Sequence, residues 1–407
     1  MKLRAYKFRG YPDEETEIIL WNYINGSRGF WNILCAEERK YLATKGMLSP
    51  SVKTPGSYKK DPHLAWLRSI DSLALANVQQ HFETAKSAFR SGDAGRMHFK
   101  KKGHCRNSYT TNCSNASKPN LTLVDDLLKL PKVPHKIRLT VHREIEANGR
   151  LKNCTVAREG EGWYFSLLYE YDKESISISP YEKDLSECSH IGLDMSLPNL
   201  YVDSNGDIPD FIKPYRAMET RLKKEQQRLS RKERANIHHY DIRNGKRYPV
   251  YKRPLSECKN YQKQKRKVER IHARIKHMRD DMLHKLSAEL TDCYDIISIE
   301  DLNMKGIIRS LRLAKSASDI GWAKFVTMLT YKQERKGHVL IKADRFFASS
   351  RTCSVCGNIH KELKLSDRVY VCPHCGSVMD RDHQAAVNID REGLRLYEEF
   401  RMAELSA

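Results

Sequence analysis

The sequence predicts a multidomain α/β protein, and three observations carry that expectation. A chain of 407 residues exceeds one ordinary compact core and divides most naturally into two to four domains. From Cys188 onward, short and strongly apolar strand-like runs alternate with long helical ones. Near the C-terminus, two C-x2-C pairs mark a small module closed around a metal.

The elements follow in order. LRAYKFRGYP alternates like a short strand and stops at Pro12, after which DEETEIILWNYINGSRGFWNILCAEERKYLATKG carries apolar residues at helical spacing. The helical pattern resumes in HLAWLRSIDSLALANVQQHFETAKSAF. In CRNSYTTNCSNASKPNLTL, Ser, Thr and Asn dominate and helix signals fail, which reads as loop. HKIRLTVHREI and GWYFSLLYEYD are strand-like and suit a small antiparallel sheet or barrel, a second and β-rich module. HIGLDMSLPNLYVDSNGD reads as a strand, a return strand and an Asn205-Gly206 turn. A long basic helical segment then runs from Lys213 to about Lys285. CYDIISIEDLN is a buried strand because Ile296, Ile297 and Ile299 leave no polar face. A helix around GWAKFVTMLTYKQERKG and a strand HVLIKAD complete the domain before the cysteines.

The charge balance points to a polyanionic partner: 72 Lys and Arg against 51 Asp and Glu give a net charge of +21. A basic membrane-surface protein would give the same sum, but no apolar run is long enough to span a bilayer and no lipidation motif is present. MKLRAYKFRGYP lacks the apolar centre of a signal peptide, so a cytoplasmic location is expected. Cys35, Cys105, Cys113, Cys154, Cys188, Cys258 and Cys293 are scattered singly, as reduced structural thiols would be.

Three sets of residues carry chemistry. Cys353 and Cys356, then Cys372 and Cys375, form two tight knuckles fifteen residues apart. Four such thiolates close tetrahedrally on one Zn2+ at about 2.3 Å and leave no position for substrate, so the zinc is structural. Asp194 ends the apolar run IGLD and Glu300 ends IISIE, and the acids Asp380 and Asp382 follow the second knuckle. A strand-ending acid is ordinarily a solvated cap. Several of them at carboxyl ends of strands, where ligands gather in α/β sheets, are what two Mg2+ ions about 4 Å apart need for phosphodiester hydrolysis. Between residues 213 and 285 there are 24 Lys and Arg against 8 Asp and Glu, whereas an ordinary solvated helical face interleaves both signs. Lys223, Lys224, Arg228, Lys265, Arg266 and Lys267 are the expected phosphate-tracking residues of that segment.

The order of GLDMS, a basic helical segment, IEDLN, DRFFASSRTCSVCG and CPHCGSVMDRDHQAAVNI resembles the TnpB family of transposon-encoded RNA-guided nucleases, and the miniature type V CRISPR effectors related to it. YKFRGYP and the SYTT stretch extend the resemblance over nearly the whole chain. It implies a RuvC-like nuclease domain of RNase H fold with a zinc-ribbon insertion, and an N-terminal wedge-like β-barrel into which a helical recognition domain is inserted. The boundaries expected on this basis are wedge 1–14 and 106–180, helical recognition domain 15–105, nuclease domain 181–345 and 377–407 with basic helices at 213–287, and zinc ribbon 346–376.

Carried over by motif, Asp194, Glu300 and Asp382 are the three catalytic, Mg2+-holding acids. Asp382 is chosen over Asp380 because the family acid sits two residues before the amide of its D-x-N-A-A motif, where this chain has Gln384. Met195-Ser196 stand in place of the more usual Leu-Gly. The resemblance also implies a guide RNA (omega RNA or crRNA), a double-stranded DNA target read next to a short flanking motif, and one protein per guide. Gln79, Gln80, Lys86 and the SYTT residues Ser108, Tyr109, Thr110 and Thr111 are the candidate readers of that flank. Alternative readings are a CRISPR effector using a crRNA and a guide-directed repressor without cleavage, which loss of an acid would favour. A DNA-strand transposase would more naturally pair a nucleophilic Tyr with a His-containing metal motif, which is not found.

Overall fold

A computed structural model describes residues 2–50, 52–114, 119–172, 181, 183–304, 306, 320–364 and 367–406. The chain forms two compact units, Met1–Ile176 and Ser177–Ala407. The expected boundary after residue 180 abuts 173–180, which lie outside the described residues.

In the first unit, β1 (Lys2–Tyr11) leads through the cap Asp13, which accepts from the Thr16 amide, into α1 (Glu14–Lys45). A short helix α2 (Pro55–Tyr58) and a 3-10 segment (Pro62–Ser69) precede α3 (Ser72–Arg90). The strands β2 (Ser108–Asn112), β3 (Thr122–Val124), β4 (Leu127–Lys129), β5 (Ile137–Thr140), β6 (Arg150–Glu159) and β7 (Gly162–Tyr171) join β1 in an antiparallel sheet ordered β2-β6-β7-β1-β5-β4-β3. The alternation of β7 buries Trp163, Phe165, Leu167, Tyr169 and Tyr171 on one face. Helices and sheet share one core, in which Leu20, Ile24, Phe30 and Phe82 meet Phe8, Val156 and Phe165.

Four strands of this sheet, β2, β3, β4 and β6, were not expected. SYTT is β2, because Thr111 turns its hydroxyl onto the buried cap Asp71 at the start of α3 and Thr110 bonds Thr155 at 2.8 Å. In β6, RLKNCTVARE, only Cys154, Val156 and Ala157 are apolar and fully buried, so the period-2 signal is faint.

The second unit is a four-stranded sheet ordered β13-β12-β8-β9, from β8 (His190–Ser196), β9 (Leu200–Asp203), β12 (Ile296–Glu300) and β13 (Val339–Ala343). β8, β12 and β13 are parallel, and β9 returns antiparallel to β8. The Asn205-Gly206 turn follows β9 rather than joining the two strands. The basic segment is two helices, α4 (Pro214–Ala235) and α5 (Lys259–Cys293), held by Leu222 against Val268, Ile271 and Ile275. It is not continuously helical: a hairpin of β10 (Ile237–Arg243) and β11 (Lys246–Tyr251) interrupts it. α6 (Trp322–Lys336) packs with α5 on one sheet face, where Ile191, Leu193, Ile297 and Ile299 meet Leu283, Trp322, Phe325 and Leu329. Strands β14 (Val369–Val371) and β15 (Val378–Asp380) form the cysteine module, and α7 (Arg381–Leu405) covers the other sheet face. Among the described residues no helix is long and apolar enough to cross a membrane.

α7 reaches the sheet because both sides of the contact are small. A Cβ at Gly393 would stand 1.8 Å from Ser298 Oγ, and one at Gly192 would stand 2.3 Å from the Ala386 carbonyl. At the opposite end of the sheet from the acids, Asp295 ties the strand starts together. It accepts from Lys183 Nζ at 2.7 Å, Ser189 Oγ at 2.8 Å and the Ser189 amide at 3.0 Å, with His338 Nε2 at 3.2 Å. Burial alone would raise its pKa, but the Lys183 and Ser189 bonds outweigh that and bring it down to about 2.

A group depressed in the folded state stabilises above its unfolded value and loses that contribution as pH falls through the folded one. Asp295→Asn is therefore expected to cost about 1–2 kcal/mol at neutral pH after discounting for solvent screening. The gap between the two proteins in denaturant titrations should shrink between about pH 4 and pH 2.

Candidate functional site

The register of the sheet brings two of the predicted acids together. Ile299 pairs with Leu193 across parallel strands, so Glu300 and Asp194 are the next residues along and lie one strand spacing apart, about 4.8 Å. Leu193 and Ile299 face α5 and α6, so the alternation turns Asp194 and Glu300 toward the other face, as Gly192 and Ser298 are turned toward α7. Asp194 lies within β8 rather than at its end, since the strand continues to Ser196. Burial, then the charges of Glu300 and Asp382, hold the Asp194 carboxyl well above the usual range. Burial also raises Glu300, against which Ser349 Oγ donates a hydrogen bond.

Asp382 comes from the first turn of α7 and is half-buried, with Arg368 3.8 Å from its carboxylate. Its neighbour Asp380 has a different task. As N-cap of α7, Asp380 accepts from the amides of Asp382 at 2.9 Å and His383 at 3.0 Å, so its carboxylate is committed to the backbone.

The four cysteines are the one set of three or more ligand-type side chains, among the described residues, whose donor atoms all lie within 4.8 Å of one another. The set suits zinc. The two knuckles repeat one construction: the Cys353 amide bonds the Asn358 carbonyl and the Gly357 amide the Cys353 carbonyl, as Cys372 does with Ser377 and Gly376. Gly357 and Gly376 take φ 74° and 73°, the left-handed turn this requires. Tyr370 is fully buried beneath them beside Leu363. β15 pairs with β14, so the module runs on to Asp380, past the expected boundary at 376, and passes without a linker into α7.

A network invisible in the motif reading joins module and acids. Asn388 Nδ2 donates to the carbonyls of Ser349 at 2.7 Å and Thr352 at 2.6 Å, and Gln384 Nε2 donates to Thr352 at 3.0 Å. This fixes the segment 344–352 and with it Ser349 against Glu300. The amides one helical turn apart on α7 were the available signal.

The candidate nucleic-acid residues divide. Lys86 is 1% exposed, 2.7 Å from Ser49 Oγ and 3.3 Å from Glu38, so its ammonium is committed to a buried pair and presents nothing to a phosphate. Tyr109 packs edge-on against Tyr23, and Thr111 is buried on Asp71; neither reaches the surface. Gln79 is half-buried and reaches the Val52 carbonyl at 3.4 Å, while Gln80 is exposed and Ser108 and Thr110 are half-buried. On α4 and α5, Lys223, Lys224, Arg228, Arg266 and Lys267 are exposed, Arg228 pairing with Glu225 at 2.6 Å; Lys265 is half-buried and lies 3.8 Å from Glu269.

Comparison with known proteins adds ancestry to this geometry. A Streptomyces pristinaespiralis protein named "Putative RNA-guided DNA endonuclease" is 30% identical over 397 residues, covering 96% of this chain and 89% of its own. Mimivirus proteins named "TnpB-like" share 31% identity over 149 residues, 35% of this chain and 28% of theirs. The chain belongs to the TnpB family. "Putative RNA-guided DNA endonuclease InsQ" of Escherichia coli K12 is 25% identical to this TnpB-family chain and covers 95% of it and 92% of its own length. Family profiles described as "Probable transposase" and "Cas12f1-like, TNB domain" match residues 166–311 and 322–389. A solved Cas12f1-sgRNA-target DNA complex matches with a TM-score of 0.53 at 12% identity, over 96% of this chain and 98% of its own, which shows a shared α/β multidomain fold.

Metal analysis should find about one zinc per chain, and Cys372→Ser should lose it together with thermal stability. Asn388→Ala takes this donor from the Ser349 carbonyl, while Gln384 still meets that of Thr352, and is expected to cost about 1–3 kcal/mol in equilibrium unfolding.

Proposed function

We propose that this TnpB-family chain is an RNA-guided DNA endonuclease that cuts double-stranded DNA next to a short flanking motif. The observation that carries the reading is the strand register that sets Asp194 beside Glu300 on the sheet face covered by α7, the helix whose first turn carries Asp382. The second unit is then a RuvC-like nuclease domain of RNase H fold with the cysteine module as a zinc-ribbon insertion, and the first unit a wedge with a helical recognition part. Asp194, Glu300 and Asp382 would hold two Mg2+ ions, which supply an activated water and charge neutralisation at the leaving 3′ oxygen. The chain's own part is positional. Neighbouring strands set Asp194 beside Glu300, Ser349 orients Glu300, and the Asp380 cap fixes the turn that presents Asp382.

Guide pairing would supply sequence specificity, while exposed cations such as Lys223, Lys224, Arg266 and Lys267 track phosphates without reading bases. Gln80, Ser108 and Thr110 remain the candidate flank readers, and one chain serves one guide in a cytoplasmic complex. Two relatives matching over nearly their whole length favour this over the CRISPR reading, since the Sulfoacidibacillus thermotolerans Cas12f1 matches only 30% of this chain. All three acids are present, which disfavours a repressor without cleavage.

Alanine at Asp194, Glu300 or Asp382 should abolish Mg2+-dependent cleavage of a labelled target while leaving target binding level or slightly tighter, because removing an acid lowers repulsion toward phosphate. Asp380→Ala should lose about 1 kcal/mol of stability through its cap and keep measurable cleavage. Full activity in Asp382→Ala with none in Asp380→Ala would reverse the assignment. Wild-type protein should also co-purify with a discrete structured RNA, its +21 charge needing a polyanion; guide-free DNA cutting by RNA-free protein would refute the proposal.

A further inference from the structure

The hairpin of β10 and β11 is a surface the nuclease site does not use. Among the described residues its strands pair only with each other, joined by Asn244 and Gly245 at φ 51° and 71°, the two-residue turn that matches strand twist. Residues opposite one another share a face. Tyr240 and Pro249, Ile242 and Arg247 lie on one side, with Asp241 and Tyr248, Arg243 and Lys246 on the other. Ile242 is 72% exposed, Tyr240 51% and Tyr248 47%. Asp241 answers Arg243 at 3.0 Å and His239 at 3.3 Å, whereas Lys246 and Arg247 stand exposed at the tip with no carboxylate paired to them among the described residues.

The base of the ribbon is held by Tyr251, whose hydroxyl donates to Glu233 of α4 at 2.6 Å, but its outer part is largely exposed; such a ribbon is marginal in water, and an exposed apolar strand pair invites aggregation. The ribbon therefore fits a partner that stays bound. Aromatic rings interleaved with cations match a chain of phosphates and unpaired bases, and the flanking helices α4 and α5 carry the same sign of charge. We propose that this hairpin seats on an unpaired region of the folded guide RNA, Lys246 and Arg247 on phosphates and Tyr240 or Tyr248 stacked on bases. RNA is favoured over the DNA target because the guide is the resident partner and offers splayed bases in its loops. The inference rests on the RNA-guided reading.

The test uses the full chain and the RNA that co-purifies with it, sequenced and transcribed. Tyr240→Ala with Tyr248→Ala should weaken its binding at fixed salt at least about tenfold. Lys246→Glu with Arg247→Glu, which spares the turn and the apolar residues, should flatten the salt dependence of binding by about one to two ions. Nucleotides that wild-type protein shields from chemical probing should open in both variants. At saturating RNA, target cleavage should match wild type. Unchanged RNA affinity and footprint in folded variants would overturn the assignment, as would RNA binding left intact while target DNA affinity falls, which would make the hairpin a DNA contact. Wild-type protein that binds no RNA would overturn both this and the RNA-guided reading.

Discussion

The closeness of α7 to the sheet, permitted by Gly192 and Gly393, is the constraint on which the acidic cluster depends. Asp194 and Glu300 are placed by strand register alone, but Asp382 lies on a helix, and a helix held at the usual distance from a sheet would present it too far away. Ser298 and Gly192 leave the sheet almost flat beneath α7, and Gly393 and the Ala386 backbone meet them directly. The same contact brings Gln384 and Asn388 over the segment 344–352. One packing decision thus sets the third carboxylate and the loop whose Ser349 orients Glu300.

Electrostatics works against this arrangement. Burial first, and then the charges of Glu300 and Asp382, work against an ionised Asp194. Such a cluster is stable only where the surrounding frame is rigid, and the frame supplies rigidity from both ends: Asp295 ties the strand starts, and the cysteine module is continuous with α7. Asp382 and Asp380 show how finely the roles divide, since two residues of the same type two positions apart serve as a cluster member and a helix cap.

The cysteines and the central strands were legible because each announces itself locally, whereas the three acids were picked out by the family motif. IISIE has no polar face, and paired C-x2-C knuckles have few other uses. Burial of polar residues was not legible. Lys86, Tyr109 and Thr111 look like surface residues by type, and only partners far away in sequence, Glu38, Tyr23 and Asp71, take them inside. β2 and β6 were hidden for a related reason, as polar residues fill much of their length and the sheet neighbours rather than the sequence make them strands. The hairpin within the basic segment was masked by charge, although its Asn-Gly turn was readable.

Placing the cysteine module directly ahead of α7 has a consequence for redox behaviour. Cys353 and Cys372 are buried, while Cys356 and Cys375 face solvent, so an oxidant meets one sulfur of each knuckle first. Oxidation there would release the zinc and free the stretch that feeds into Asp382, leaving every carboxylate chemically intact. If the acids act as proposed, oxidation would disarm the chain at a point remote from them, and a thiol reductant with zinc would rearm it from the disulfide state.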